Sequence, residues 1–277
     1  MEFLDRVPTY PGRVVLTPVS GKNNTYDMTR ADEPVVEGTP LNKVLFDSFN
    51  GDIEALKKHV ADTLYQMTQR VNVGNLADGA IFSLYENGVM TPYIKLTNNY
   101  ESSGRVLAVR ANCIKEDTLF NAEEINYENS RVDLWLNNEY ISILDEATKS
   151  VLDNVSVKVS TNTGVNGISR KAFLLSLREY TLTSIEGVPG MGSNVSYFST
   201  AERRKAMLNG TVINHWTRSN DRLRDTAAYI TPDGEHLLGT PSAFIAGIRP
   251  ALTLPTDFEV TAGVPATTNV MATAEVI

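Results

Sequence analysis

Residues 80–96 read Ala80-Ile81-Phe82-Ser83-Leu84-Tyr85-Glu86-Asn87-Gly88-Val89-Met90-Thr91-Pro92-Tyr93-Ile94-Lys95-Leu96: two runs of strand-forming residues on either side of Glu86-Asn87-Gly88. Asn and Gly tolerate the positive φ that a tight two-strand turn demands, so the stretch predicts a β-hairpin. Downstream, Val106-Leu107-Ala108-Val109-Arg110 predicts another strand. Asn129 to Leu144 changes period and sets Val132, Trp135, Leu136, Tyr140, Ile143 and Leu144 along one broad helical face, which Ala147 to Leu152 extends or follows with a second turn. Phe173-Leu174-Leu175-Ser176 reads as a short buried strand, and Gly187 to Asn194, with three glycines and a proline, as a loop. Ser199 to Leu208 predicts a charged helix capped by Ser199 or Thr200, while His215-Trp216-Thr217-Arg218 and Ala251-Leu252-Thr253-Leu254 predict late strands. The order of these elements is that of an α+β body, without internal repeats.

Upstream, from Asp52 to about Val71, Ile53, Leu56, Val60, Leu64, Met67 and Val71 recur in steps of three and four and share one stripe of a helix. Asp52 is its expected N-cap. The stripe suits a short coiled coil between chains and equally suits a helix lying on its own domain, because a stutter between Val60 and Leu64 leaves fewer than three clean heptads. The first fifty residues contain Pro8, Pro11, Pro34 and Pro40 and read as an extended arm, in which Arg13-Val14-Val15-Leu16-Thr17 supplies one short strand. Pro255 to Ile277 has three acids, no base and much Thr, Ala and Val, and reads as a second extended arm. The expected organisation is therefore an arm over 1–50, a helix over 51–75, a body over 76–254 and an arm over 255–277.

Composition limits the function. With 277 residues, of which 42% are apolar and 21% charged, the chain has material for a real core. Twenty-five basic against thirty-three acidic residues give a net charge of −8, which argues against binding a phosphate backbone. No apolar run approaches a membrane span, and Met1-Glu2-Phe3-Leu4-Asp5 does not read as a signal peptide. One cysteine, Cys113, reads as a small buried residue, and three histidines are too few for a zinc cluster. No nucleophile–base pair, no separated pair of carboxylates and no phosphate-binding loop stands out: Gly187-Val188-Pro189-Gly190-Met191-Gly192 lacks the spacing and the lysine. No catalytic residue, metal or cofactor is expected.

Two resemblances sharpen this picture. Arg6-Val7-Pro8-Thr9-Tyr10-Pro11-Gly12-Arg13-Val14, Asn24-Thr25-Tyr26-Asp27-Met28, Ala31-Asp32-Glu33-Pro34 and Gly38-Thr39-Pro40-Leu41-Asn42-Lys43 resemble a leader on tail-fibre and related virion proteins of phages that infect Firmicutes. That likeness implies attachment to neighbouring virion or tail proteins through residues 1–50, with Val7, Tyr10, Tyr26 and Met28 in the arm. Tyr127-Glu128-Asn129-Ser130, Leu134-Trp135-Leu136-Asn137, Lys171-Ala172-Phe173-Leu174-Leu175-Ser176 with Glu179, Tyr197-Phe198, Trp216-Thr217-Arg218-Ser219 and Gly247-Ile248-Arg249-Pro250-Ala251-Leu252 are similar, in order, to the DUF6273 domains of Firmicutes and their phages. The similarity implies a C-type-lectin-like, formylglycine-generating-enzyme-like body with a small irregular antiparallel sheet and long loops. It does not extend to the Glu-Pro-Asn or Gln-Pro-Asp loop of calcium-dependent lectins, nor to the paired cysteines of the oxidase branch.

The expected function is adhesion by a virion component, a tail-fibre or receptor-binding protein on a phage or tail-like particle, made in the host cytoplasm. A homo-oligomer, taken as a trimer, would form on Ile53, Leu56, Val60, Leu64, Met67 and Val71, and the body would face a host cell-surface glycan. Sugar recognition joins an aromatic platform to planar hydrogen-bonding groups. Ser193-Asn194-Val195-Ser196-Tyr197 and Trp216-Thr217-Arg218-Ser219-Asn220-Asp221-Arg222 supply those types, so Tyr197, Trp216, Arg218, Asn220, Asp221 and Arg222 are the candidate contacts. Trp216, Arg218 and Arg249 fit better as core, ion-pair or loop-staple residues, so the loop Asn220–Arg224 is the preferred contact. The alternative function is a structural collar, baseplate or capsid-decoration subunit whose arms lace neighbouring subunits together.

Overall fold

Residues 7–9, 12–31, 34–36, 43–68, 70–117, 126–161, 164–182, 188, 190–221 and 225–263 are described by the structure, a computed structural model, and they divide into two units, 1–64 and 65–277. In the first unit the expected extended arm carries paired strands. β1 (Val7–Pro8) pairs antiparallel with β4 (Pro34–Val36), and β2 (Val14–Pro18) pairs with β3 (Tyr26–Arg30). The β-branched residues Val14, Val15 and Thr17 favour the strand, and positive φ at Gly21 and Asn24 reverses the chain between the partners.

Helix α1 (Lys43–Thr68) begins well before the expected cap at Asp52. Phe46 and Phe49 continue the apolar stripe one heptad upstream, so Asp52 lies inside the helix, and so does Gly51 despite its low propensity. The helix ends at Thr68, and Val71 belongs to a strand rather than to the helical stripe.

The second unit is built on two sheets. The larger runs in the order β12 (Ala172–Phe173), β19 (Ala251–Leu254), β8 (Val106–Arg110), β7 (Val89–Thr97), β6 (Ile81–Glu86), β20 (Glu259–Ala262) and β5 (Arg70–Asn72), with every neighbour antiparallel. Its centre is the hairpin at 80–96: Glu86 faces Val89, and Asn87 and Gly88 turn at φ 49° and 77°. Two successive positive φ values match the right-handed twist of the flanking strands. The expected C-terminal arm begins instead as β20, inserted between β5 and β6.

The smaller sheet runs β17 (His236–Gly239), β16 (Thr226–Ile230), β15 (His215–Asp221), β18 (Ala246–Ile248) and β9 (Lys115–Asp117); β15 and β18 are parallel and the other pairs antiparallel. Hairpins β10 (Val155–Thr161)–β11 (Gly164–Arg170) and β13 (Met207–Leu208)–β14 (Thr211–Val212) lie outside both sheets. The predicted helix over 129–144 appears as α2 (Arg131–Trp135), a π-helical turn over Leu136–Tyr140 and α3 (Ile141–Ile143). α4 (Glu146–Val151) follows, and α5 (Ala201–Arg204) is a single turn of the longer helix expected at Ser199 to Leu208, because Met207-Leu208 pairs as a strand. The expected strand at Phe173 to Ser176 is limited to β12, since Leu174 and Leu175 spend their carbonyls on Arg218.

The chain passes between the sheets at two adjacent corners, from β8 to β9 and from β18 to β19. Pro250 accepts from the Arg110 N–H at 2.8 Å, and the Arg249 guanidinium donates to the carbonyls of Arg110 and Arg204 at 3.0 and 3.3 Å. Cys113 is buried in this corner, and burial pushes its thiol up to about 12. A Cβ on Gly247 would stand 2.6 Å from the Cys113 sulfur, so the corner closes only around glycine. Phe82, Leu107, Tyr127, Phe173, Trp216, Ile248 and Leu252 join one continuous core beneath both sheets. Gly247→Ala is expected to lower the stability of the second unit by about 1–3 kcal/mol through overpacking, and Cys113→Ala in the same chain to restore part of it; denaturant titration of the two variants measures both.

Candidate functional site

Strand β15 is buried at every position from His215 to Asp221. Arg218 points from it into the turn at 174–180, where its Nη1 and Nη2 donate to Glu179 Oε2 and Oε1 at 2.5 and 2.7 Å. The remaining donors are also used: Nε reaches the Lys158 carbonyl at 2.8 Å and Nη1 the Leu174 carbonyl at 2.7 Å. Glu179 accepts further from the Ser176 N–H at 2.8 Å and the Tyr100 hydroxyl at 3.0 Å. Burial opposes the Arg218 cation, yet the facing carboxylate outweighs it and raises the Arg218 pKa; burial and the same carboxylate hold the Tyr100 phenol far above its ordinary value. Gly192 (φ 78°) allows the 190–194 loop to close on this pair, since a Cβ there would lie 2.5 Å from Glu179 Oε1. Ser176 Oγ donates to the Met191 carbonyl at 2.5 Å and fixes the same approach.

This geometry decides where the candidate sugar contacts lie. Trp216 is core: its Nε1 donates to the Asp117 carbonyl at 2.9 Å, and its ring meets Tyr229 and Phe244 edge-on at 5.9 and 5.5 Å. Arg218, Asn220 and Asp221 are buried, the last two where β15 pairs with Ala227 and Thr226 of β16. Tyr197 is buried in the turn Ser196–Ser199, its ring against Gly79 and under the Arg203 guanidinium. These side chains are interior, so they present no platform on the surface. Arg222 lies outside the described residues, as does Tyr10. Val7 lies in β1, while Tyr26 and Met28 of β3 are exposed. Ile53, Leu56 and Val60 are exposed along α1; Leu64 and Met67 fall on the same helix, where their side chains are outside the described residues. Val71 in β5 packs against the core.

Two further polar clusters are internal braces. Glu86 takes bonds from Arg110 Nε at 3.1 Å and Tyr93 at 2.5 Å, and Tyr93 in turn pairs with Tyr140, which ties the helical segment to the central hairpin. Asp133 accepts from Nε and Nη2 of Arg170, at 2.8 Å each, and from the Asn129 N–H at 2.9 Å. Among the described residues, no group of three His, Cys, Asp or Glu could hold a metal ion.

A polar cleft of about 670 Å³ opens instead where Asn99–Ser102, β10 and Ser193–Ser196 meet. Its floor is Tyr100, stacked on Phe173 at 5.3 Å. On its wall, Glu101 Oε2 pairs with Lys158 at 2.7 Å and Glu101 Oε1 accepts from Ser193 at 3.2 Å. Glu101 and Ser102 hold φ 44° and 63°, a left-handed pair that costs about 1–2 kcal/mol per residue outside glycine. Of the expected sugar segment Ser193–Tyr197, Ser193 to Ser196 line this cleft and the aromatic Tyr197 does not. The loop opposite, Asn98-Asn99-Tyr100-Glu101-Ser102-Ser103-Gly104, escaped sequence reasoning because it resembles any polar strand connection.

Residues 103–256, more than half of the chain, match the family described as Domain of unknown function (DUF6273), and the chain belongs to that family. Comparison with curated proteins and with solved structures gave no match.

Glu179→Gln is expected to cost about 3–5 kcal/mol, because it strands the buried Arg218 charge; the loss is read by chemical denaturation. A second expectation concerns pH. Burial and the charge of Arg249 hold His215 well below its ordinary value, so the unfolded chain takes up a proton near pH 6.5 that the folded chain refuses. Stability is therefore full above about pH 7 and falls below the unfolded pKa, by up to about 1.4 kcal/mol per pH unit. His215→Phe should remove most of that slope between pH 7 and 5.5 in a series of thermal melts, with His236, less strongly depressed, supplying the remainder.

Proposed function

We propose that this member of the DUF6273 family is an adhesive component of a phage or phage-tail-like particle, with the first unit engaging neighbouring virion proteins and a C-type-lectin-like body facing the host surface. The observation that carries the reading is the seam on α1. Phe46, Phe49, Ile53, Leu56 and Val60 recur at 3, 4, 3 and 4, and all five are exposed, Leu56 at 62%. A two-position stripe of this kind is the seam of a coiled coil, narrower than the face a globular domain covers. Taking Phe46 as position a, Asp52 falls at g and Lys57 at the following e, which are opposite charges across a parallel interface. The surface pair Lys57–Glu54 at 2.8 Å is worth little and leaves Lys57 able to turn to a partner helix. β-branched Ile53 and Val60 at a, with Leu56 at d, favour two strands, which weighs against the trimer otherwise expected for a fibre.

The leader-like residues 6–43 support the particle assignment, and many copies on one particle make weak sites sufficient. The purely structural reading draws on the hairpin of β2 and β3, where Val14, Val15, Leu16, Tyr26 and Met28 are all exposed and could seat a neighbouring subunit. Binding to the particle's own Firmicute host separates the two: saturable labelling of cells by the full-length protein supports adhesion, and its absence leaves the structural role.

Leu56→Asp with Val60→Asp is expected to turn the oligomer into a folded monomer, because charges in an apolar seam are costly. Light scattering with circular dichroism reads the outcome, and an unchanged mass would place assembly elsewhere. A chain starting at Tyr65 should fold by itself and fail to enter particles.

A further inference from the structure

We infer that the cleft between Asn99–Ser102, β10 and Ser193–Ser196 is a binding site for a neutral saccharide. The inference deepens the adhesion reading and rests on it for its biological role.

Three properties of the lining select the ligand class. First, it is charge-compensated: Glu101 is paired with Lys158 at 2.7 Å, and Asp78 with the buried Lys95 at 3.0 Å. A phosphate or sulfate group would find one cation already engaged, and a cation would find both carboxylates answered. Second, the exposed rim is made of short hydroxyls and amides, from Ser102, Ser156, Ser193, Asn194 and Ser196. Such groups donate and accept at close spacing, as a ring of vicinal hydroxyls requires. Third, the apolar residues in the lining, Leu96 and Val195, are buried and give no anchor for a lipid tail or a hydrophobic peptide side chain. The volume, about 670 Å³, falls within the range of small-molecule clefts.

The wall is also fixed in advance. Glu101 is 12% exposed, held by Lys158 and Ser193 from two different segments, and kept in the left-handed region by a turn in which Tyr100 N–H bonds Arg105 O at 3.0 Å and Gly104 N–H bonds Asn99 Oδ1 at 2.8 Å. A strained residue at the wall of a cleft, built around a carboxylate that accepts in two directions, fits a group that orients ligand hydroxyls. Tyr100 offers no stacking face, because it is 4% exposed and covered by Phe173. Recognition is therefore by hydrogen bonds, with modest strength per site.

The test uses the full chain and immobilised neutral oligosaccharides, namely N-acetylglucosamine oligomers and glucose-, galactose- and rhamnose-containing trisaccharides, with poly(glycerol phosphate) as the anionic probe. The expected result is saturable binding to at least one neutral probe. Ser193→Ala with Asn194→Ala should weaken it by roughly tenfold or more, the scale of one or two lost hydrogen bonds, with the thermal midpoint unchanged. Glu101→Gln should weaken it as well, whereas Asn138→Ala, in the separate cleft beside α2, should bind as the parent does. No binding to any neutral probe, binding to poly(glycerol phosphate) alone, or saccharide binding indifferent to the cleft variants overturns the assignment. The same proteins applied to host cells keep the two readings apart. Cells bound equally by parent and cleft variants would retain adhesion and reject this cleft, while saccharide binding without cell binding would retain the cleft and reject adhesion.

Discussion

The buried pair between Arg218 and Glu179 is the constraint around which the second unit is arranged. Two charges removed from water are tolerable only when nearly every donor and acceptor is met, and meeting them recruits three separated segments, through the carbonyl of Leu174 and the amide of Ser176, the carbonyl of Lys158, and the Tyr100 hydroxyl. Those partners belong to the turn after β12, to the outlying hairpin and to the loop between β7 and β8, and Arg218 ties them to the smaller sheet. The three segments are far apart in sequence, so the pair fixes relations that local propensity leaves open. Replaced by apolar groups of equal volume, the site could hold as much stability, but the direction of each segment would be set less sharply.

The cleft inherits its order from this pair. Tyr100 forms the floor and bonds Glu179 beneath it, and Lys158 gives its carbonyl to Arg218 while its ammonium holds Glu101 in the wall. Gly192, on the same loop as Ser193 and Asn194, is glycine because that loop presses onto the carboxylate. The rim is thus made of exposed hydroxyls and amides standing on a base of buried, paired charges. Such a division allows the polar surface to vary without disturbing the scaffold below.

Local patterns in the chain announced much of the fold. Asn87-Gly88 fixed the central hairpin, and the period over 129–144 gave the helical segment, since both signals depend on neighbours in sequence. The start of α1 was hidden by Asp52, a good cap that the helix instead runs through, and by Gly51 beside it. β20 was hidden because Glu259-Val260-Thr261-Ala262 has nothing to separate it from a polar tail until β5 and β6 stand on either side. The candidate sugar contacts show a deeper limit. Trp, Arg, Asn and Asp are the residues of a glycan platform and equally of an internal brace, and burial, a property of the whole fold, distinguishes them. The hydroxyls and amides of Ser193–Ser196 were legible as hydrogen-bonding groups, whereas the loop at 99–102 that faces them became visible only once β7 and β8 had brought it across.

One consequence follows from the pairing of β5 with β20. Arg70 stands opposite Thr261, so the body's first and last strands are neighbours at one margin of the larger sheet. The chain enters and leaves through the same doorway. A body held in that way behaves as a cassette: it can be set behind a different leader, or spliced into a loop of another scaffold, with a single junction to accommodate.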